Sequence, residues 1–244
     1  MKKVLMHIVG TYFTNIYLIL LSSLSFLIAL LVPVFASFPT FNDMGGVFIR
    51  TASIYLNLNI FNTAIIVFST LFSLLFLSFA IVAINVVVKH SRTQTRIRAE
   101  VIRGLEKYTS KVFLILLLAT VVVILANVLT YSTGYSGIIT AVVALLITPF
   151  IFYAPASVVI DDSKNILRSM KASAKFFSKR IDYFVVWLVI AIVLLTLFDF
   201  IFIAATGTVL SRYAMLIFGS LFILPFLVLM QSEFYMSRFK LLKS

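Results

Sequence analysis

Residues 112–160 read VFLILLLATVVVILANVLTYSTGYSGIITAVVALLITPFIFYAPASVVI, forty-nine residues without an Asp, Glu, Lys or Arg. A helix crosses the hydrocarbon core of a bilayer in about 20 apolar residues, so this stretch is too long for one crossing and long enough for two. A turn-forming segment, Thr130-Tyr131-Ser132-Thr133-Gly134-Tyr135-Ser136-Gly137, divides it. Upstream lie two more charge-free stretches, 4–42 and 51–88. Downstream, 183–205 is interrupted only by Asp199 and 213–236 only by Glu233. The pattern predicts six transmembrane helices, at about 14–36, 60–88, 112–131, 138–160, 183–205 and 213–236, in a single domain over 1–244. The expected class is an all-α integral membrane protein.

Composition agrees. Hydrophobic residues make up 62% of the chain and charged residues 11%, against about 45–50% and 25% in soluble domains, and the mean hydropathy is +1.16. A water-soluble fold of 244 residues has no room to hide that much apolar surface. With no cysteine, disulfides, thiolate metal sites and a cysteine nucleophile are excluded. Lys2 and Lys3 ahead of an apolar run, with Val34-Phe35-Ala36 behind it, resemble a signal peptide. The apolar part is too long for one and Pro33 crowds the cleavage position, so the segment is read as a retained first span.

The excess of 20 Lys and Arg over 8 Asp and Glu would suggest nucleic acid in a soluble protein, but here the cations sort by side. Lys2 and Lys3 precede span one. Lys89, Arg92, Arg96, Arg98, Arg103, Lys107 and Lys111 join spans two and three. Lys164, Arg168, Lys171, Lys175, Lys179 and Arg180 join spans four and five, and Arg238, Lys240 and Lys243 follow span six. Only Arg50 and Arg212 fall on the other side. Positive charge is retained on the cytoplasmic side, so both termini are expected in the cytoplasm of a multi-pass cell-membrane protein. An even number of spans requires the same.

Two connections have helical periodicity. After Asp162 or Ser163, either a good N-cap, Ile166, Met170, Ala174, Phe177 and Ile181 recur at helical spacing, and Lys164, Arg168, Lys171, Lys175 and Lys179 form a stripe on another face. Ile97, Val101, Leu105 and Tyr108 repeat the pattern more weakly before span three. An apolar stripe beside a basic one suits an interfacial helix against anionic lipid headgroups; a basic face that merely obeys the orientation rule is the alternative. Tyr12-Phe13-Thr14-Asn15, Tyr108-Thr109-Ser110-Lys111 and Phe176-Phe177-Ser178-Lys179 each lead into an odd-numbered span. Three repeated helical hairpins would explain this, as would coincidence in a low-diversity sequence.

The end of span four and its exit carry a more specific signal: Ile151-Phe152-Tyr153-Ala154-Pro155, Val158-Val159-Ile160-Asp161-Asp162 and Ser169-Met170-Lys171-Ala172-Ser173. This resembles a family of six-span prokaryotic membrane proteins that includes the membrane domain fused to some glycerophosphoryl diester phosphodiesterases. Pro155, Asp161, Asp162, Lys171 and Ser173 fill the positions of that family's motif. Ser178-Lys179-Arg180 replaces its usual Gly or Asn before span five. The resemblance implies a six-span fold and no chemistry, since most such members have no assigned function and no phosphodiesterase domain is present here.

Inside the spans, small and hydroxyl residues share faces: Asn62, Ser69, Ser73 and Ala80 in span two; Ser22, Ser25 and Ala29 in span one; Ala141, Ala144 and Thr148 in span four. Close helix packing is the commoner reason for such faces, a polar path the other. Pro149 and Pro155 make span four the expected broken helix. Asp199 is the acidic residue deepest in a span, with Asn127 of span three and Arg212 of span six as expected partners. It is either a tether among spans three, five and six or a transport carboxylate. Glu233, nearer a membrane surface, is expected to be hydrated. His7 and His90 have no evident carboxylate partner, and neither a phosphate-binding loop nor a nucleophile elbow occurs. The sequence points to a non-catalytic structural, accessory or lipid-associated membrane component, with no cofactor or metal. Expected partners are anionic lipid and other membrane proteins, not nucleic acid. The alternative is a small transporter or permease subunit with a polar path near Asp199.

Overall fold

In hydrocarbon a backbone must satisfy its own polar groups, and the long apolar stretches form helices. The computed structural model describes residues 2–35, 40–43, 46–49, 60–93 and 97–239. Arg50, Arg96, Lys240 and Lys243 lie outside them, as do the side chains of Lys2, Lys3, Asn62, Arg92 and Arg98. The elements are α1 (Lys2–Thr14), α2 (Ile16–Phe35), β1 (Thr40–Asp43), β2 (Gly46–Ile49), α3 (Ile60–Thr93), α4 (Ile97–Thr130), α5 (Ser136–Ile151), α6 (Ala154–Ile160), α7 (Ile166–Lys179), α8 (Ile181–Phe218) and α9 (Leu224–Met236). Thr63–Ser91, Val101–Thr133, Ser136–Ile160, Ile181–Gly207 and Leu210–Phe239 are each long and apolar enough to cross a membrane. Val4–Thr14 and Ile16–Val32, bent by 84° to each other, make a sixth span if taken together. The protein is a helical membrane protein. Its one departure among the described residues is a short antiparallel pairing of β1 and β2, Thr40 opposite Ile49 and Asp43 opposite Gly46, which the sequence pattern did not announce.

The core lies among α2, α3 and α9. Ile19, Phe26, Ala80, Ile84, Leu229 and Met230 are fully or almost fully buried there. The small-residue faces of spans one and two serve packing: the Ser73 hydroxyl donates to the Ala29 carbonyl across the interface at 2.5 Å, and Ala29 and Ala80 are both buried. The outer halves of α4 and α5, and α8 as far as Gly207, keep most of their apolar side chains on the outside, where only lipid or another protein can cover them. Gly207 has φ 75° and ψ 173°, a backbone region open almost only to glycine, and there α8 divides into spans five and six. Before Pro225, the residues Gly219–Ile223 wind as a π-helix, a local adjustment that suits a missing N–H one turn on. Tyr12 of α1 donates to the Phe222 carbonyl inside this stretch at 3.2 Å.

Two expectations need correction. The segment before span three is not a separate interfacial helix: α4 runs unbroken from Ile97 to Thr130. Val101, Leu105 and Tyr108 pack on α3 and α6, so this apolar stripe is covered by protein. The lead-ins of the first and third odd-numbered spans do form separate helices, α1 and α7. Second, α7 is capped by neither Asp162 nor Ser163. Asn165 has the extended backbone of an N-cap and its side chain accepts from the Leu167 N–H at 2.9 Å.

α3 and α4 approach closely at Gly104, where an added Cβ would stand 2.5 Å from Val86 Cγ2. Valine is stiff at χ1 and Val86 is buried, so it has little freedom to yield. Gly104→Ala is expected to cost about 1–2 kcal/mol through overpacking, read as a lower unfolding midpoint in detergent. Adding Val86→Ala should recover much of the loss. A double variant no better than G104A alone would show that the contact is not the cause.

Candidate functional site

The residues singled out around span four meet at one joint. Between α5 and α6 the helical ladder opens: Ile151 ends one helix and Ala154 begins the next. The N–H of Tyr153 would ordinarily bond the Pro149 carbonyl four residues earlier. Instead it donates to Ser173 Oγ at 3.0 Å, and that hydroxyl donates to Pro149 O at 2.7 Å. Ser173 of α7 is thus inserted into the break and satisfies both backbone groups, a recognised cause of a helix kink. It is fully buried, as is Tyr153. Pro155, which has no N–H to give, sits at the start of α6, where a missing donor costs least. The Phe152 carbonyl exposed at the joint accepts from the Gln231 amide of α9. Phe152 itself packs edge-on against Trp187 and Phe184 of α8. One kink therefore joins α5, α6, α7, α8 and α9.

α6 ends in the turn carrying Asp161 and Asp162. Asp161 accepts from Ser157 Oγ at 3.0 Å, from Tyr235 OH at 2.7 Å and from the Arg238 guanidinium. Asp162 lies in the left-handed region at φ 49°, which Asp tolerates better than most residues. It accepts from Lys107 Nζ at 2.6 Å and Tyr108 OH at 2.9 Å. Lys89 and Lys111 donate to the carbonyls of Val159 and Ser163 at 2.7 and 3.0 Å, two cations at the negative end of a helix. The ammonium groups of Lys89, Lys107 and Lys111 all stand 5.2–5.8 Å from the centre of the Tyr108 ring, within cation–π range. The acidic pair is an electrostatic hub gathering cations from α3, α4 and the turn after α9, and Asp162 is not the helix cap that its place before the periodic segment suggested.

The Lys107 hydrogen bond holds the Asp162 carboxyl below the usual carboxylate range, with burial opposing and Tyr108 assisting. Because the folded-state pKa is depressed, the pair's stabilisation is present above the unfolded value of about 3.9 and is lost as pH falls through the folded one. Both side chains are about half exposed, so the contribution is small. The stability gap between the wild type and Asp162→Asn is expected to be constant from neutral pH down to about 4 and to close below it. A gap that persists in acid would refute the pairing.

α7 continues from this hub. Its inner face buries Ser169, Ser173, Phe176 and Phe177. On its outer side a cleft of about 740 Å³ is lined by Lys164, Arg168, Lys175 and Lys179, with Asp161, Asp162, Asn165 and Arg238 around it. Lys171 is exposed but does not line the cleft. A smaller cleft of about 310 Å³ on the far side of Asp162 includes Lys89, His90, Arg103 and Lys107.

The expected intramembrane partners do not come together. Asn127 is buried and its amide donates to Thr140 Oγ1 of α5 at 3.2 Å. Asp199 is half-buried and among the described residues makes no hydrogen bond or ion pair. Arg212 is exposed near the far end of the bundle and is engaged elsewhere. Glu233 is not hydrated as expected but fully buried, because α1 folds back over α9. The same fold-back brings His7 Nε2 to 3.6 Å from Glu233 Oε1, a carboxylate partner that sequence reading missed for His7. Among the described residues, no three metal-ligating side chains come together. Compared with family models, curated proteins and solved structures, the chain has no match.

Sequence reading also missed Tyr108, Tyr235, Gln231 and Lys89 as parts of the joint. Their partners lie 54 to 79 residues away along the chain, and nothing local marks them. The one usable signal was the pair of acidic residues in a chain poor in them.

Proposed function

We propose that the chain is a non-catalytic component of the cell membrane, structural or accessory, with both termini and the basic end of the bundle in the cytoplasm and in contact with anionic lipid. The observation that carries this reading is the gathering of cations at one end. Lys89, Lys107, Lys111 and Arg238 converge on the Asp161–Asp162 turn, and the basic side chains of α7 open beside it. Neutralising that end asks for negative headgroups, and the orientation rule asks for the cytoplasmic leaflet. The exposed apolar faces of α4, α5 and α8 support association with lipid or with another membrane protein, but not with nucleic acid. Kinship with the six-span family is part of the same proposal and rests on Pro155, Asp161, Asp162 and Ser173.

The chain has no cysteine, so a single Lys175→Cys substitution gives a clean probe of sidedness. A membrane-impermeant maleimide is expected to label it only after the cells are permeabilised. Labelling in intact cells would overturn the assignment. The second reading, a transporter or permease subunit, is favoured by the half-buried Asp199 with no partner among the described residues. It predicts that Asp199→Asn leaves folding intact and abolishes a solute flux. Loss of folding instead would make Asp199 structural.

A further inference from the structure

The charges around the α7 cleft do not cancel. Asp161 is neutralised by Arg238, and Asp162 by Lys107, which reaches it from outside the cleft. That leaves Lys164, Arg168, Lys175 and Lys179, none of which forms an ion pair among the described residues. Arg168, Lys175 and Lys179 sit at offsets of seven and four along α7, so they project to one side. Lys164 and Asn165 close the end where the chain enters the helix. Asn165 uses its side-chain oxygen to cap Leu167, and its amide N–H groups remain as neutral donors. Ala172 and the buried Ser157 and Phe176 complete the lining.

Like charges facing a common concavity raise one another's energy and focus a strong positive potential into it. A flat basic face would spread them. The cleft's volume falls in the range of small-ligand sites. Four uncompensated cations exceed what one phosphodiester, with a single negative charge, can neutralise. A phosphomonoester carries about −1.5 to −2 at neutral pH, with three acceptor oxygens for Lys and Arg donors.

We propose that this cleft is a binding site for a phosphomonoester group, carried on a lipid such as phosphatidate or free in solution. The inference rests on the anionic-lipid reading above and sharpens it from a charged face to a site. On a lipid, the phosphate lies among Arg168, Lys175, Lys179 and Lys164, and the acyl chains stay outside the cleft, in the bilayer.

The test uses the purified full chain in mild detergent, with bound lipid counted by native mass spectrometry during titration. Phosphatidate is expected to bind about tenfold more tightly than phosphatidylglycerol. Arg168→Gln or Lys175→Gln is expected to weaken phosphatidate by about tenfold, the loss of one charge-assisted contact, while Lys171→Gln changes it by less than about twofold. All three side chains are exposed and lack partners among the described residues, so folding is not at issue. Competition by glycerol phosphate or inorganic phosphate identifies a soluble ligand; absence of competition identifies the lipid, and both outcomes support the site. Equal losses for Lys171→Gln and Lys175→Gln would overturn the site and leave the broader basic-face reading standing, as would equal binding of phosphatidylglycerol. Failure of every anionic lipid and of inorganic phosphate to bind would overturn both.

Discussion

Replacing Ser173 with alanine is expected to lower the stability of the folded chain in detergent by about 2–4 kcal/mol, although the change removes one oxygen atom. Among the described residues the hydroxyl is the only bridge between the Tyr153 N–H and the Pro149 carbonyl, and Ser173 and Tyr153 are fully buried. Its loss orphans a buried donor and a buried acceptor together, at about 1–3 kcal/mol each. The two could recover their bond only if α5 and α6 straightened into one helix. That would pull Phe152 from its ring contacts with Trp187 and Phe184 and withdraw its carbonyl from Gln231. The control is Ser178→Ala on the same helix, where an exposed hydroxyl bonds only the Ala174 carbonyl of its own helix; a change within about 0.5 kcal/mol is expected there. Equal unfolding midpoints for the two variants would refute the bridging role.

The second large effect belongs to Asp161→Ala, at about 2–3 kcal/mol. The side chains of Asp161 and Arg238 are each less than one-third exposed, although both residues lie at the surface, and the Tyr235 hydroxyl that donates to the same carboxylate belongs to a fully buried residue. Removing the acceptor strands a phenol and a guanidinium in a partly dry site, and the cost is chiefly that of the groups left behind. Asp162→Ala is expected to cost no more than about 1 kcal/mol, because its ion pair with Lys107 is half exposed and water can replace it. The ordering of these adjacent carboxylates is the discriminating result. A double-mutant cycle of Asp161→Ala with Tyr235→Phe should show coupling of about 0.5–1 kcal/mol. Additive effects would mean that the hydroxyl and the carboxylate do not depend on each other.

These predictions concern long-range contacts, and there the sequence was least readable. Ser173 and Asp161 were singled out through a resemblance alone, Pro155 also as a helix breaker and Asp162 also as a cap; their roles at the joint emerged only when the opened ladder at Tyr153 was seen to accept a hydroxyl from α7. Arg168, Lys175 and Lys179 were legible as one helical stripe; Lys164, read on the same stripe, stands in the turn before α7. That Lys171 falls outside the cleft depends on how α7 rolls against α5 and α6. Glu233 misled because depth along a span was taken as exposure, whereas α1, bent by 84° to α2, covers it. Asn127 was matched to Asp199 by depth alone, and its amide reached the nearer hydroxyl of Thr140.

The helical class and the approximate spans followed from the chain alone, because an uncharged run longer than a bilayer is thick leaves the backbone one economical way to satisfy itself. Hydropathy and charge are properties of segments, so they can be added up locally. Partnerships are not local. Which carbonyl a kink exposes, which hydroxyl fills it and which cations surround one acidic turn depend on how rigid rods cross, and those crossings are set by packing details such as Gly104 against Val86. The bundle's geometry turned two aspartates and a serine from a pattern into a joint.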